Sequence, residues 1–308
     1  MNVNSLWNRS GLVLNFRKIE LQDKKILDTY LDKFNYKSCE YSFTTLYIWK
    51  DACEIEYAIY NNILILKKKD FDGATHFMQP VGYKIEQLRD IVEMLKKFKI
   101  ELKMDCLFKD IEDSFVQDLK EIYGEDIEII EDRDNFDYIY DSEKLISLSG
   151  KKLHAKKNHY NQFVKNYEYV VKDIREVPVE ECIKALKGFL DKKEDKSEYL
   201  SYEIKGVASL LRNIDSFNFE GMVIYVENKI VAFTIGEKIN DETAVIHTEK
   251  ADPEIKGLYT FINKIFVETC FSNVPKINRE QDLGIPGLRK AKESYKLFEF
   301  VKKYVVKE

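Results

Sequence analysis

The sequence predicts an α+β fold of two domains, each with a mixed, mostly antiparallel sheet flanked by helices. The chain has 308 residues, which exceeds the usual size of one domain. Hydrophobic residues make up 44% and aromatic residues 13%, enough to fill a sizeable core. Only 5 Pro and 12 Gly occur, so we expect long regular elements with short connections. The pattern of elements places the first domain at 1–140 and the second at 141–308.

The first half mixes amphipathic helices with strands in antiparallel pairs. Apolar residues at the spacing of one helical face predict helices at 23–34, 41–49, 85–98 and 111–123. Ser42 is a residue type that caps helices, so it is expected to open the second of these. Asn61 and Asn62 favour a tight turn between two strands. Strands are predicted at 55–59, 63–66, 101–104, 127–131 and 136–140.

The second half follows a similar plan, although no repeat is visible by sequence identity. Helices are predicted at 151–167, 179–190, 199–214, 258–271 and 287–295. Residues 227–229 are expected to form the turn of an antiparallel hairpin. Strands are predicted at 169–174, 222–226, 230–239, 244–248, 276–279 and 298–305.

The composition excludes several classes of protein. Charged residues make up 33% and the net charge is -5, but the abundance of aromatic and branched apolar residues rules out a disordered chain. The acidic balance argues against a protein that binds duplex DNA. The acidic excess is confined to residues 1–140, which hold 27 acidic and 20 basic side chains, against 27 and 29 in the remainder. The second half is therefore the better candidate for contact with a phosphate-bearing partner.

Cysteine usage and apolar run length indicate the compartment. The 5 Cys are widely spaced without a C-x-x-C motif, which fits a reducing environment, and the 4 His do not stand at zinc-binding spacing. No signal peptide is predicted, and the apolar runs are far shorter than the about 20 residues that span a bilayer. We therefore expect a cytoplasmic protein with no metal and no stable membrane insertion. Motifs of serine hydrolases, P-loop NTPases, zincins and dinucleotide-binding enzymes do not occur in the sequence.

From residue 169 onwards, the order of the predicted elements resembles the GNAT acyltransferase fold. The order is strand, helices, antiparallel hairpin, strand, helix, strand, helix and strand. The resemblance implies that two neighbouring parallel strands, here 244–248 and 276–279, diverge and that an acyl donor enters the gap between them. It also implies that the donor pyrophosphate rests on the N-terminus of the following helix, where free N–H groups and the helix dipole favour an anion.

Four motifs resemble the DUF2156 family more closely. This family is related to the C-terminal domain of phosphatidylglycerol lysyltransferase and is built as tandem GNAT domains. The motifs are F-D-Y-I-Y at 136–140, G-K-K-L-H-A-K-K-N-H-Y-N-Q-F at 150–163, H-T-E-K-A-D at 247–252 and I-N-R-E-Q-D-L-G-I-P-G-L-R-K-A-K-E-S-Y at 277–295. The resemblance covers nearly the whole chain and implies two GNAT-like domains, with the active site in the second.

The donor site implied by the GNAT resemblance lies around Lys256, Gly257 and Leu258. GNAT acetyltransferases carry R/Q-x-x-G-x-G/A at this position, and this chain keeps only the central Gly257 of that pattern. Glu254 brings negative charge and Tyr259 brings bulk to positions near the expected phosphates. This departure favours a donor that is held differently, such as aminoacyl-tRNA, while CoA stays open as the alternative.

Glu249 and Tyr295 are the predicted catalytic residues. Glu249 lies at the end of the strand that lines the gap, where a carboxylate with a raised pKa could take a proton from an attacking amine. The alternative is a structural salt bridge with Lys250 or Arg279. Tyr295 matches the place of a tyrosine general acid in many GNAT enzymes, and simple packing is the alternative in a chain with 19 Tyr. Lys250 is predicted to contact the donor.

Polar side chains at the ends of two neighbouring strands are predicted to bind the acceptor. The carboxyl ends of strands are where open α/β sheets usually bind their ligands. The alternative is an ion-pair network that holds the loop to the last helix through Arg289 or Lys292. The residues of this group are His247, Asn278, Arg279, Glu280 and Asp282.

The stretch 150–165 contains five lysines and no acidic residue. On a helix, Lys152 and Lys156 lie one turn apart. Lys152, Lys156 and Lys157 are predicted to hold the phosphates of the donor, either CoA or the acceptor end of a tRNA. A solvated helix face is the alternative.

Two classes of function follow, with a third ranked last. The leading hypothesis is an acyltransferase or aminoacyltransferase that moves its group from CoA or aminoacyl-tRNA to an amine or hydroxyl. The second is a non-catalytic binding or regulatory protein made of two GNAT domains, which the altered donor loop favours. A lipid-modifying enzyme at a membrane surface ranks last, because no helix shows a strongly basic face opposite exposed Trp or Phe.

Overall fold

The computed structural model describes residues 4–7, 13–192 and 198–308. The chain divides into two compact units that each include a short segment from elsewhere in the sequence. The first unit takes its described residues from 1–35, 40–136 and 301–308, and the second consists of 36–39 and 137–300. The predicted domains, 1–140 and 141–308, instead group 36–39 with the first half and 301–308 with the second.

The described residues form strands and helices that are numbered here in chain order. The strands are β1 Asn4–Trp7, β2 Val13–Lys18, β3 Glu56–Tyr60, β4 Ile63–Lys69, β5 Thr75–Phe77, β6 Phe108–Ile111, β7 Ile129–Glu131, β8 Asp137–Asp141, β9 Tyr169–Asp173, β10 Glu220–Val226, β11 Lys229–Lys238, β12 Thr243–Ala251, β13 Lys276–Asn278, β14 Leu297–Val301 and β15 Tyr304–Val306. The helices are α1 Lys24–Leu31, α2 Phe43–Trp49, α3 Ile85–Leu102, α4 Asp113–Tyr123, α5 Ser142–Ser147, α6 His154–Asn166, α7 Val179–Asp191, α8 Glu198–Arg212, α9 Leu258–Cys270 and α10 Pro286–Glu293. No helix within the described ranges is long and apolar enough to cross a membrane.

The first unit is built on a sheet with the strand order β1-β2-β3-β4-β5-β6-β15-β7. Strands β5 and β6 are parallel, whereas β15 is antiparallel to both of its neighbours. Helices α3 and α4 contribute the apolar faces that their spacing predicts, and Leu88, Leu95 and Phe115 are fully buried in the core. The last strand of the chain therefore completes the sheet of the first unit.

The second unit is built on a sheet with the strand order β14-β8-β13-β12-β11-β10-β9. Strands β12 and β13 are parallel, and β8 is antiparallel to β13. Helix α9 is apolar because it packs in the core of this unit, where Phe261, Ile262 and Phe266 are fully buried. Its connection from β12 to the parallel strand β13 is a helical crossover of the usual kind.

The parallel strands β12 and β13 diverge after a short stretch of pairing. They are paired over three positions, the last of which joins Val245 to Asn278. Strand β12 continues to Ala251 and remains paired with β11 there, opposite Ala232. Beyond Val245, none of the described strands pairs with β12 on its other side, and a gap separates β12 from the segment that follows β13. This is the divergence that the GNAT resemblance implies.

Two local predictions are confirmed by the backbone. The Ser42 hydroxyl accepts a hydrogen bond from the N–H of Thr45 at 3.0 Å and caps α2. Asn61 and Asn62 have φ values of 49° and 62°, as a hairpin turn of the type that asparagine favours requires.

Two strand predictions are wrong. No strand forms at 101–104, because α3 continues to Leu102 and ends at Lys103, whose φ is 54°. The single strand predicted at 298–305 is instead split between β14 and β15, which belong to different sheets. The break has a physical cause, since Lys303 between them is fully buried and pairs with Glu40 at 3.3 Å.

Candidate functional site

A nearly buried ion pair lies in the gap between β12 and β13. Glu249 extends from β12, and its Oε1 accepts a hydrogen bond at 2.9 Å from Nη2 of Arg279, which follows β13. Its other oxygen accepts from Nδ2 of Asn263 on α9 at 2.7 Å. Only 14% of the Arg279 side chain and 9% of the Glu249 side chain are exposed. The salt-bridge alternative for Glu249 therefore describes the contacts that this residue makes.

Two tyrosine rings border the Arg279 guanidinium. Its Cζ lies 4.8 Å from the ring centroid of Tyr295 and 5.6 Å from that of Tyr140. Burial raises the pKa of the Tyr295 phenol, and the charge of Arg279 opposes this rise. Nη1 of Arg279 is buried and has no hydrogen-bond partner among the described residues. The cluster thus contains a charged N–H donor that is not satisfied by the protein.

Lys156 reaches this cluster from α6. Its Nζ lies 4.1 Å from the ring centroid of Tyr295. Burial and repulsion from Arg279 lower the pKa of Lys156 to about 8, while Glu249 opposes the change. Within residues 13–192 and 198–308, no acidic side chain forms an ion pair with Lys156. The cluster therefore contains two basic groups and one carboxylate.

His247 bridges two carboxylates at the middle of β12. Its Nδ1 is 3.1 Å from Oε1 of Glu280, and its Nε2 is 3.1 Å from Oε1 of Glu237 on β11. Burial lowers the pKa of His247, but the two carboxylates outweigh burial and raise it to about 9. His247 therefore carries a positive charge at neutral pH and ties two strands to the segment after β13.

Asn278 and Asp282 are fully buried and hold the loop that follows β13. Nδ2 of Asn278 donates to Oδ2 of Asp137 at 2.8 Å. Asp282 Oδ2 accepts from Nε of Arg289 at 2.9 Å and from the Tyr138 hydroxyl at 2.6 Å. Burial raises the pKa of Asp282, yet the hydrogen bonds from Arg289 and Tyr138 lower it to about 2. These contacts correspond to the network alternative that the sequence leaves open.

Lys292 of α10 is a further buried cation of the same loop. Its Nζ donates to the backbone carbonyl oxygens of Arg279 and Glu280, the second at 3.3 Å. Burial and the charge of Arg279 lower the pKa of Lys292 to about 8. By holding both carbonyl groups, Lys292 fixes the backbone from which the Arg279 side chain extends.

Helix α6 packs directly against the N-terminus of α9. Gly257 precedes α9 with a φ of 87°, and a Cβ atom on it would lie 2.2 Å from the backbone oxygen of His159. Leu258 is fully buried, and Lys256 is exposed to solvent. A backbone carbonyl thus lies beside the position where the GNAT resemblance places a donor pyrophosphate.

Three charged residues that precede α9 pair with side chains from α8 or from the end of α7. Lys250, a predicted donor contact, forms an ion pair with Oε1 of Glu203 at 2.7 Å. Lys192 pairs with Asp252 at 2.6 Å and with Glu254 at 2.5 Å. Two carboxylates therefore stand in the segment that leads to the helix N-terminus, where they disfavour a second anion.

The outer side of α6 presents unpaired lysines to solvent. The helix is held by Phe163, which is fully buried and lies 4.4 Å from Phe261 between ring centroids. Most of its remaining side chains are exposed. Two exposed lysines lie on α6, Lys157 and Lys165, and two more lie in the turn before it, Lys151 and Lys152. In the described part of the chain, none of these four lysines forms an ion pair.

The structure gathers part of the predicted site and separates the rest. It brings together four predicted residues, Glu249, Arg279, Tyr295 and Lys156. Five others have protein partners, namely Lys250, His247, Asn278, Glu280 and Asp282. For the others, Lys152, Lys157, Lys256, Gly257 and Leu258, the described part of the chain shows no hydrogen bond, ion pair or ring contact with the cluster in the gap. The roles predicted for all of these residues stay predictions.

Sequence reasoning missed two contributors to the cluster. Asn263 is a buried polar residue on the apolar face of α9, next to the buried Phe261 and Ile262, and a polar residue within that face is the signal that could have indicated it. Tyr140 stands within a family motif, but nothing in its local sequence indicates contact with Arg279. No group of three or more metal-ligating side chains is placed to hold a metal ion within the described ranges.

Comparison with known proteins adds the family context. A family model described as "Phosphatidylglycerol lysyltransferase, C-terminal" matches residues 32–307. A crystal structure of a conserved protein of unknown function from Bacteroides thetaiotaomicron is 32% identical, with a TM-score of 0.84, and covers 95% of this chain and 99% of that chain. An uncharacterised protein of Mycoplasmoides gallisepticum is 28% identical over 184 residues, 59% of each protein. This chain thus matches about three fifths of that curated relative's length.

Two more distant structures share the fold. The structure of L-PGS from Bacillus licheniformis is 14% identical, has a TM-score of 0.61, and covers 93% of this chain and 92% of that chain. A tandem GNAT protein from the clavulanic acid biosynthesis pathway is 10% identical, has a TM-score of 0.53, and covers 95% of this chain and 97% of that chain. The predicted α+β fold of two GNAT-like domains and the DUF2156 resemblance are confirmed.

Proposed function

Because the chain belongs to the phosphatidylglycerol lysyltransferase C-terminal family, we propose that it is a transferase that moves an acyl or aminoacyl group from a phosphate-bearing donor to an amine or hydroxyl. The observation that carries this proposal is the cluster in the gap between β12 and β13. In the GNAT fold, this gap is where the acyl group is expected to enter. Here the guanidinium of Arg279, the phenol of Tyr295 and the amine of Lys156 lie together in the gap. Groups of these kinds can stabilise negative charge and transfer protons during acyl transfer.

Arg279 has the contacts of a group that stabilises developing negative charge. Its Nη1 is buried without a partner, so it can donate to the carbonyl oxygen of the acyl group as that oxygen becomes negative. Glu249 and two tyrosine rings hold the guanidinium in place. These contacts favour a role for Glu249 in orienting Arg279. They do not favour its predicted role as general base, because both of its carboxylate oxygens already accept hydrogen bonds, from Arg279 and Asn263. Tyr295 remains the proposed acid for the leaving group.

The proposed donor is an aminoacyl-tRNA rather than an acyl-CoA. The His159 carbonyl lies where the GNAT resemblance places the pyrophosphate, and Gly257 leaves no space there even for a methyl group. Exposed and unpaired lysines on α6, by contrast, offer a surface for an extended polyanion. Lys156 connects this helix to the cluster in the gap.

A transfer assay with both donors tests the proposal. The purified chain is incubated with tRNA charged with radiolabelled amino acids, or with acetyl-CoA, in the presence of soluble amines or phosphatidylglycerol vesicles. We expect label to move from tRNA to one of these acceptors. Arg279→Gln should reduce the rate by about 10²–10³-fold, the usual loss for one oxyanion donor. Arg212→Gln, a change at an exposed arginine, is the matched control. The proposal fails if neither donor binds in gel shifts at low salt and neither transfers its group.

A non-catalytic binding protein is the second candidate. It is favoured by the ion pair of Glu249 and Arg279, which occupies the gap with side chains. This candidate predicts that tRNA binds with strong salt dependence but that no labelled group ever leaves it. Binding without transfer to any acceptor would therefore select it over the transferase.

A further inference from the structure

Lys156 differs in its surroundings from the three other basic groups in or beside the gap, Lys250, Arg279 and Lys292. Lys250 and Arg279 each pair with a carboxylate, and Lys292 donates to two carbonyl oxygens. Lys156 has none of these partners within the described chain and stands over the Tyr295 ring at 4.1 Å. It is also partly exposed, so a substrate that enters the gap from solvent can reach its Nζ.

The groups that face Lys156 come from three other elements. Arg279, which follows β13, repels its positive charge, and Glu249 of β12 attracts it. Tyr295, which follows α10, is kept neutral by burial, and its ring face attracts the ammonium form of Lys156, but burial and the charge of Arg279 outweigh this attraction. Glu249 is already shared between Arg279 and Asn263, so it neutralises Lys156 only in part. The surroundings thus favour the uncharged amine more than solvent does.

We propose that Lys156, in its uncharged form, is the base that takes the proton from the attacking acceptor. This inference rests on the proposed transferase function and assigns the base to α6 rather than to the strand residue Glu249. With a pKa of about 8, about a tenth of Lys156 is uncharged at pH 7, which is enough for a general base.

The proposed step balances without a further reactant. The lone pair of the acceptor nitrogen or oxygen attacks the carbonyl carbon of the aminoacyl ester and forms a new bond. The acceptor proton passes to the Lys156 amine, and Arg279 stabilises the negative oxygen. When the ester C–O bond breaks, the leaving oxygen receives a proton either from the Lys156 ammonium directly or from the Tyr295 hydroxyl, which the Lys156 ammonium then protonates again. In both cases Lys156 becomes an amine again and Tyr295 ends as a neutral phenol.

Substitutions at Lys156 separate proton transfer from simple charge. In the tRNA transfer assay, Lys156→Ala should lower kcat by about 10²–10⁴-fold with little change in KM. Lys156→Arg should be equally slow, because a guanidinium keeps the charge but does not give up its proton near neutral pH. The wild-type rate should rise with pH through about 8, and both variants should lack this limb. Small primary amines added to the assay should restore part of the rate of Lys156→Ala. The control variant Lys184→Ala changes an exposed lysine, so its rate should match that of wild type with or without added amines.

Four results would overturn the inference. Full activity of Lys156→Arg would mean that Lys156 acts only by its charge, as a contact for an anionic group. Competitive labelling with acetic anhydride and mass spectrometry reads the titration of Lys156 without any turnover, and a midpoint at the ordinary lysine value of about 10.4 would also overturn it. If wild type transfers from neither donor, the proposed function itself fails and the role of Lys156 falls with it. If wild type transfers and Lys156→Ala is equally fast, only the role of Lys156 is lost.

Discussion

Arg279 and Glu249 are joined at 2.9 Å across the gap between two diverging parallel strands. In an ordinary sheet, backbone hydrogen bonds would connect the two strands at this height. Here, a charged pair takes their place, and Asn263 of α9 satisfies the second carboxylate oxygen. The same pair therefore contributes to the stability of the sheet and to the electrostatics of the candidate site.

The effects of Arg279→Ala and Glu249→Gln on the free energy of unfolding should not be additive. Arg279→Ala leaves Glu249 nearly buried without its counter-charge, and we expect a loss of about 3 kcal/mol in the free energy of unfolding. The double variant Arg279→Ala with Glu249→Gln should lose less than the sum of the two single changes, by about 0.5–3 kcal/mol. Urea unfolding of the four proteins measures the coupling. Strict additivity would show that the pair is energetically irrelevant.

The contacts of His247 with Glu237 and Glu280 should make the free energy of unfolding depend on pH. Its folded pKa, about 9, lies above the ordinary value of 6.5, so its stabilisation is fully present below pH 6.5 and is lost as pH rises through about 9. The difference in unfolding free energy between wild type and His247→Gln should shrink by about 3 kcal/mol over this range. Denaturant unfolding at a series of pH values gives this difference directly. A difference that stays constant with pH would contradict the contacts with Glu237 and Glu280.

Gly257 should tolerate alanine poorly compared with a glycine that has a positive φ but open surroundings. Gly150 has a φ of 98°, with a ψ of 159° that also favours glycine, but no atom lies within 4 Å of a Cβ built on it. Gly150→Ala should therefore cost only the backbone strain, about 1–3 kcal/mol. Gly257→Ala adds a collision with the His159 carbonyl, so it should cost clearly more and should displace α6. Equal loss of thermal stability in the two variants would mean that α6 does not pack on α9 as described.

The exposed lysines of the α6 region should set the salt dependence of tRNA binding. Lys152→Gln with Lys157→Gln should leave the free energy of unfolding unchanged, because both side chains are exposed and unpaired. The same double variant should reduce the slope of log affinity against log salt by about 0.7–0.9 for each lysine that contacts a phosphate. Filter binding at several salt concentrations measures the slope, with Lys184→Gln as the control. An unchanged slope would remove this surface from the proposed donor site.

Local sequence patterns predict the helices and hairpins of this fold well, because they arise from neighbouring residues. The face of α3, the Ser42 cap and the Asn61-Asn62 turn are of this kind. The split between β14 and β15 cannot be predicted in this way. Lys303, which lies between these strands, is buried and pairs with Glu40, a residue far away in the sequence. No local pattern indicates that partner, so one predicted strand becomes two.

The candidate site shows the same division. Glu249 and Arg279 stand among polar residues at strand ends, and the GNAT resemblance indicates Tyr295. Lys156 is predicted only as a contact for donor phosphates, and Asn263 is not predicted at all. Which of these side chains reach the gap and pair there depends on how α6 and α9 pack, and local sequence patterns do not contain that information.

The position of β15 has a consequence for biosynthesis. Because β15 lies between β6 and β7, the sheet of the first unit lacks an internal strand until Tyr304–Val306 leave the ribosome. Until then, β6 and β7 present open edges of the kind that chaperones and aggregates recognise. The sheet of the second unit also ends in a late strand, β14, Leu297–Val301. The residues of the first unit that are made first therefore wait for some of the residues made last before their sheet is complete.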